Sequence, residues 1–98
     1  MRDVLVSKQV WDKISELETY LKRELNLSKV EARKRSDRMR DFLKSLSTPA
    51  DYALCRFKQW KTLGYRCVVF EKSWVFAYEI FGGGIIVRDM AHVAILVE

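Results

Sequence analysis

Three residues in the last third of the chain have the types that act on phosphates or acidic groups: Arg66, Arg88 and His92. A guanidinium presents a planar fork that matches phosphate or carboxylate oxygens. His92 is the only histidine, and imidazole can move a proton near neutral pH. Two arginines and a histidine gathered by a small sheet suit phosphate handling, and they equally suit a surface that grips an acidic partner. A metal centre is not indicated, because one histidine with Cys55 and Cys67 lacks ligand spacing. The residues call for no cofactor, and the two cysteines read as reduced structural thiols of a cytoplasmic protein.

The elements that must position these residues follow from periodicity. Residues 2–6 have the length and β-branched content of a short strand. Ser7 can cap a helix, whose apolar stripe is Val10, Ile14, Leu17, Leu21 and Leu25. Asn26-Leu27 ends it. Ser28-Lys29-Val30-Glu31 has the form of a capping box and opens a second helix. Ala32, Met39, Leu43 and Leu46 share one face of that helix, with Phe42 at its edge. Arg33, Lys34, Arg40 and Lys44 fall on the solvent side, and Arg35 and Arg38 near the apolar edge. Pro49 stops this helix. Residues 49–54 connect to a strand expected over 55–61, then to clearer strands over 65–71, 74–81 and 84–90. The order β-α-α-β-β-β-β predicts one α+β domain over residues 1–98, with an N-terminal strand and a helical hairpin packed on one face of a mostly antiparallel sheet.

Two-residue turns at Lys72-Ser73 and Gly82-Gly83 fix a register for the last three strands. Val68 then faces Ala77, Arg66 faces Glu79, Glu79 faces Ile86 and Ala77 faces Arg88. Opposed residues share a face. Arg66, Glu79 and Arg88 therefore lie on one open face with Val68, Ala77 and Ile86. Cys67, Val69, Phe76, Tyr78, Ile80, Ile85 and Val87 form the wall expected against the helices.

The chain has 98 residues and a net charge of +5. The charge is concentrated: residues 22–61 hold twelve Lys or Arg against five Asp or Glu, and each flank is slightly acidic. Such a basic middle attracts nucleic acid or an acidic protein segment. There is no apolar run of about 18 residues, so no membrane helix is expected, and the opening residues lack the apolar segment of a signal peptide.

The segment Gly64-Tyr65-Arg66-Cys67-Val68-Val69-Phe70 resembles the "GYR-x-hydrophobic" strand of RelE/ParE-type toxins. Val75-Phe76-Ala77-Tyr78-Glu79-Ile80 resembles their next strand. Ile85-Ile86-Val87-Arg88-Asp89-Met90-Ala91-His92 resembles the last strand with its arginine and trailing histidine. With the helical hairpin, the resemblance spans nearly the whole chain. It implies the toxin half of a bacterial type II toxin–antitoxin pair that inhibits growth and is neutralised by an antitoxin wrapping an often acidic segment over it. RelE-like members cut messenger RNA on the ribosome. ParE-like members inhibit DNA gyrase and have no known nuclease chemistry.

The resemblance makes Arg66 and Arg88 candidate clamps on the phosphate and His92 a candidate acid or base, in a cleavage that requires no metal. Arg56, Lys58 and Lys61 fall where nuclease members place basic residues, and Glu79 is a cross-strand partner for Arg66. The expected activity is a ribosome-dependent messenger-RNA endoribonuclease. The alternatives are a ParE-like non-enzymatic inhibitor of DNA gyrase and a degenerate toxin that only binds its antitoxin. The chain departs from many members at its end, which has no arginine, lysine or tyrosine after position 88. The apolar residues 93–97 are expected to form a terminal strand, cover the sheet or make a homo-oligomer contact.

Overall fold

The computed structural model describes residues 1–48 and 50–98, so the helix stop read at Pro49 lies outside the described residues. The elements are β1 (Asp3–Val6), α1 (Lys8–Arg23), α2 (Lys29–Ser45), a four-residue helical turn α3 (Lys58–Lys61), β2 (Arg66–Phe70), β3 (Trp74–Phe81), β4 (Gly84–His92) and a 3₁₀ turn over Val93–Ile95. Among the described residues, four strands form one sheet in the order β1-β4-β3-β2. β1 runs parallel to β4, and β4-β3-β2 is an antiparallel meander. This is the expected α+β arrangement, with the helical hairpin on one face of the sheet. No helix among the described residues is long and apolar enough to cross a membrane.

Both helices form where their apolar stripes require. Val10, Ile14 and Leu21 of α1 are buried, as are Ala32, Met39, Leu43 and the C-cap Leu46 of α2. Leu25 is exposed because α1 stops at Arg23 and Asn26 turns into the left-handed region, with φ 53°. Ser28 caps α2 by accepting from the Glu31 N–H at 3.1 Å. Arg40 corrects the reading of a free solvent face. It is half-buried and donates to Ser36 Oγ and Asp37 Oδ1, both at 3.0 Å. Ser36 is fully buried between the helices and donates to Glu18 Oε1. That hydroxyl holds the Glu18 carboxyl below its ordinary range against desolvation, with the charges of Lys22 and Arg33 adding to it.

The meander departs from the expected register twice. The first turn has three residues, Glu71, Lys72 and Ser73, the first two at φ 48° and 63°. Its Ser73 N–H returns to Phe70 O at 3.2 Å. Phe70 therefore opposes Trp74, Val68 opposes Phe76, and Arg66 opposes Tyr78 instead of Glu79. The slip puts Val68 and Phe70 in the helix-side core and leaves Val69 exposed. The glycine turn is as expected, with Phe81 opposite Gly84 and Glu79 opposite Ile86. A bulge then follows: Tyr78 opposes Val87 but Ala77 opposes Asp89, so Arg88 is the extra residue on β4.

The bulge has a packing reason. It puts Met90 opposite Phe76 in the helix-side core; an unbroken register would have put Asp89 there. The Ser7 hydroxyl, expected to cap α1, instead donates to the bulge carbonyl Arg88 O at 3.0 Å.

The sheet's second face is not open. Residues expected to form a strand over 55–61 instead cross this face: Leu54 makes an isolated antiparallel bridge with Arg66, and the chain then coils into α3. Phe57 and Trp60, three apart, turn inward together, a helical spacing that does not suit a strand. Trp60, Cys55, Val75, Ala77 and Ala91 form a second small core, joined by Leu96 of the tail. Cys55 and Cys67 are not free thiols. They are bonded as a disulfide with Cα atoms 4.9 Å apart, because the Leu54–Arg66 bridge brings their backbones together. Closing a loop of this length removes unfolded-state entropy worth about 3 kcal/mol.

Deleting Arg88 removes the bulge yet keeps Asp89 opposite Ala77 and Met90 opposite Phe76, so the deletion should retain cooperative urea unfolding, as should Arg88→Ala. Glu18 gives a second expectation. Because its folded pKa is lowered, its contribution is complete above the unfolded value of about 4.3 and is lost as pH falls through the lower folded one. Ser36→Ala should raise the Glu18 pKa in an NMR titration and flatten the loss of thermal stability below about pH 4.

Candidate functional site

The bulge decides where Arg88 points. Arg88 and Asp89 are consecutive yet both lie on the face away from the helix pair. Arg88 Nη2 donates to Glu79 Oε1 at 2.8 Å, and Asp89 Oδ2 accepts from the Trp60 indole at 3.2 Å. The Arg88 backbone carbonyl accepts from Ser7 Oγ and, at 2.7 Å, from Gln9 Nε2. Glu79 raises the Arg88 pKa above its ordinary value, against an opposing desolvation. Arg88 Nε is buried and has no hydrogen-bond partner among the described residues. Ser7, Gln9, Gln59, Trp60 and Tyr65 surround Arg88 in a pocket of about 470 Å³. The lining also includes the Asp89 carboxylate, so the pocket combines a guanidinium paired with Glu79, a carboxylate, two amides and two aromatic rings, a set that suits a flat polar group.

Arg66 is not part of that pocket. It alternates with Val68 and Phe70 on the helix side of the edge strand, and its Nη1 donates to Tyr52 O at 2.7 Å. Nearby, Arg2 Nη1 donates to Asp51 Oδ1 at 2.6 Å, and the Tyr78 hydroxyl receives the Tyr52 N–H. Arg2 holds the Asp51 carboxyl below its usual range, with smaller help from Tyr78 and Arg66. Arg66 thus anchors the connector and is not paired with Glu79.

His92 lies at the far end of β4, on the helix side opposite Trp74. At about 3.3 Å per residue it is some 13 Å along the strand from Arg88. Its Nδ1 accepts from the Ala94 N–H at 3.1 Å, which leaves Nε2 to carry the proton of the neutral ring. The imidazole meets Trp74 edge to face, with ring centres 5.1 Å apart. It lines a separate groove of about 680 Å³ floored by Leu17, Met39, Phe70 and Met90 and rimmed by Arg35 and Arg38. Arg38 there pairs with Glu71 at 2.9 Å.

Arg56, Lys58 and Lys61 are exposed on the loop over the second core, and none forms an ion pair among the described residues. Lys58 and Lys61 are on a helical turn and Arg56 is in the loop just before it; none is on a strand.

The structure therefore joins Arg88 to Glu79 and separates both from Arg66 and His92. One bond-breaking step needing all three candidate residues at a single phosphate has no common site here. Among the described residues there is no cluster suited to a metal ion. Sequence reasoning placed Trp60 on a strand and missed its helical turn onto the sheet, and it passed over Asp89. The Phe57/Trp60 spacing was the available signal for the first, and the acidic residue directly after Arg88 for the second. A scan against protein-family models finds no match to this chain, and a search of curated proteins finds none.

Trp60→Phe removes the indole hydrogen bond and should cost about 1 kcal/mol in urea unfolding. Single alanine substitutions at Arg56, Lys58 or Lys61 should stay within about 0.5 kcal/mol.

Proposed function

We propose that this chain is a RelE/ParE-type toxin of a bacterial type II toxin–antitoxin pair, cytoplasmic, and held inactive by an antitoxin with an acidic segment. The observation that carries the reading is the whole-chain arrangement. A first strand lies parallel to the last, a helical pair covers one face, and a three-stranded meander bears the Gly64-Tyr65-Arg66 strand and the Arg88 strand. The basic middle of the chain, with Arg56, Lys58 and Lys61 exposed and in no ion pair among the described residues, supports an acidic partner. Val93, Ile95 and Val97 are the exposed large apolar residues of the tail, left for a homo-oligomer contact.

The geometry favours the non-enzymatic activity, inhibition of DNA gyrase by binding, because Arg66, Arg88 and His92 do not converge. Ribosome-dependent messenger-RNA cleavage is the second reading. The observation in its favour is the Arg88 pocket, whose walls include the aromatic residues Tyr65 and Trp60.

Induced in a bacterial host, the chain should arrest growth with loss of DNA supercoiling and intact ribosome-bound messages. Arg88→Ala should relieve the arrest, and His92→Gln should leave it unchanged. Cut messages, together with an arrest that His92→Gln leaves unchanged, would move the chemistry to Arg88 and its pocket. A folded chain that neither arrests growth nor alters either readout would be a degenerate toxin.

A further inference from the structure

The disulfide closes a loop that carries much of the chemistry described above. Cys55 and Cys67 are twelve residues apart, and between them lie Arg56, Lys58, Trp60, Lys61 and Tyr65. A four-residue helical turn cannot stand by itself, since so short a helix does not offset its nucleation cost. Besides the bond, the ends of the loop are held by the Cys55 N–H on Tyr65 O at 2.8 Å and the Cys67 N–H on Ala53 O at 3.1 Å, and its middle by Phe57 and Trp60 in the second core, the Trp60 contact to Asp89 and the Lys58 N–H on Val97 O at 2.8 Å. In a chain read as cytoplasmic, a reading on which this inference rests, a disulfide is more often a switch than a staple.

We infer that Cys55–Cys67 is a redox latch: oxidised, it holds the loop against the sheet and completes the Arg88 pocket; reduced, it lets the loop open. Cys55 is buried, whereas Cys67 is half-buried, which makes it the more exposed of the two cysteines and the one assigned to an incoming thiolate. A dithiol reductant attacks Cys67 Sγ, the sulfur–sulfur bond breaks, and Cys55 leaves as the thiolate. The reductant's second thiol then resolves the mixed disulfide, so that Cys67 is released and the reductant ends as a disulfide. Closure is the reverse and consumes a disulfide oxidant such as glutathione disulfide. Trp60 and Tyr65 are walls of the Arg88 pocket, and Arg56, Lys58 and Lys61 move with the same loop. One thiol pair therefore sets both the shape of the pocket and the placement of the basic surface.

The test compares the full chain oxidised with glutathione disulfide and reduced with dithiothreitol, by amide hydrogen exchange. The N–H groups of Trp60, Lys61 and Leu63, all bonded within the loop, should exchange about tenfold faster or more after reduction. Those of β3 and β4 should not change. The double variant Cys55→Ala, Cys67→Ala should behave as the reduced chain under both conditions. Equal protection of the loop in both states overturns the latch. So does a rise in exchange throughout β3 and β4, which would make the bond a support of the whole fold. Two thiols still titratable after glutathione disulfide treatment would also overturn it. None of these readouts depends on toxicity, so a failed latch and a failed toxin reading are told apart.

Discussion

One extra residue in β4 decides the character of both faces of the sheet. An unbroken strand would carry Asp89 into the helix-side core and turn Met90 outward. Burying a carboxylate among Phe76, Met39 and Leu17 would cost far more than a local break in the ladder. The bulge at Arg88 removes the conflict. Met90 is buried, and Asp89 is left on the other side to receive the Trp60 indole and the Lys13 ammonium at 2.6 Å. The carbonyl exposed by the bulge is taken by Ser7 and Gln9. The joint between β1 and α1 is thereby tied to the same irregularity.

From this follows a sheet covered on both sides by different means. The helix pair covers one face with a continuous apolar core. A loop, a disulfide and Leu96 cover part of the other with a small satellite core. Arg88 stands at the border of the satellite core, where burial is partial and polar groups converge. Arg66 and His92 are on the helix side, at the edge strand and at the end of β4, where each is spent on a local backbone contact. The dispersion of the three residues is thus a consequence of strand register.

Some of this was legible along the chain, and the limits are physical. The stripes of α1 and α2 and the capping box at Ser28 depend on neighbours within a turn of helix, so periodicity finds them. The Gly82-Gly83 turn is legible because glycine accepts its φ of 59° at position 82 without strain. The Glu71-Lys72-Ser73 turn was not. Its left-handed residues are a glutamate and a lysine, held there by the burial of Val68 and Phe70. The helical turn at 58–61 was read as a strand because its aromatic and basic mix fits either element, and only the second core selects the inward pair Phe57 and Trp60.

The candidate site divides the same way. That Arg88 would share a face with Glu79 follows from the strand alternation and a glycine turn, and the two do pair, although the partner expected for Glu79 was Arg66. That Arg66 would not join them, and that Cys55 would meet Cys67, could not be read from spacing. Both depend on where distant segments cross the sheet. The amino-acid order by itself determined the helices, the number of clear strands and the α+β class, since those rest on contacts a few residues apart. Tertiary structure alone decided the bulge, the hairpin slip, the covering of the second face and so the company that each arginine keeps, because each is set by which side chains the sheet must bury.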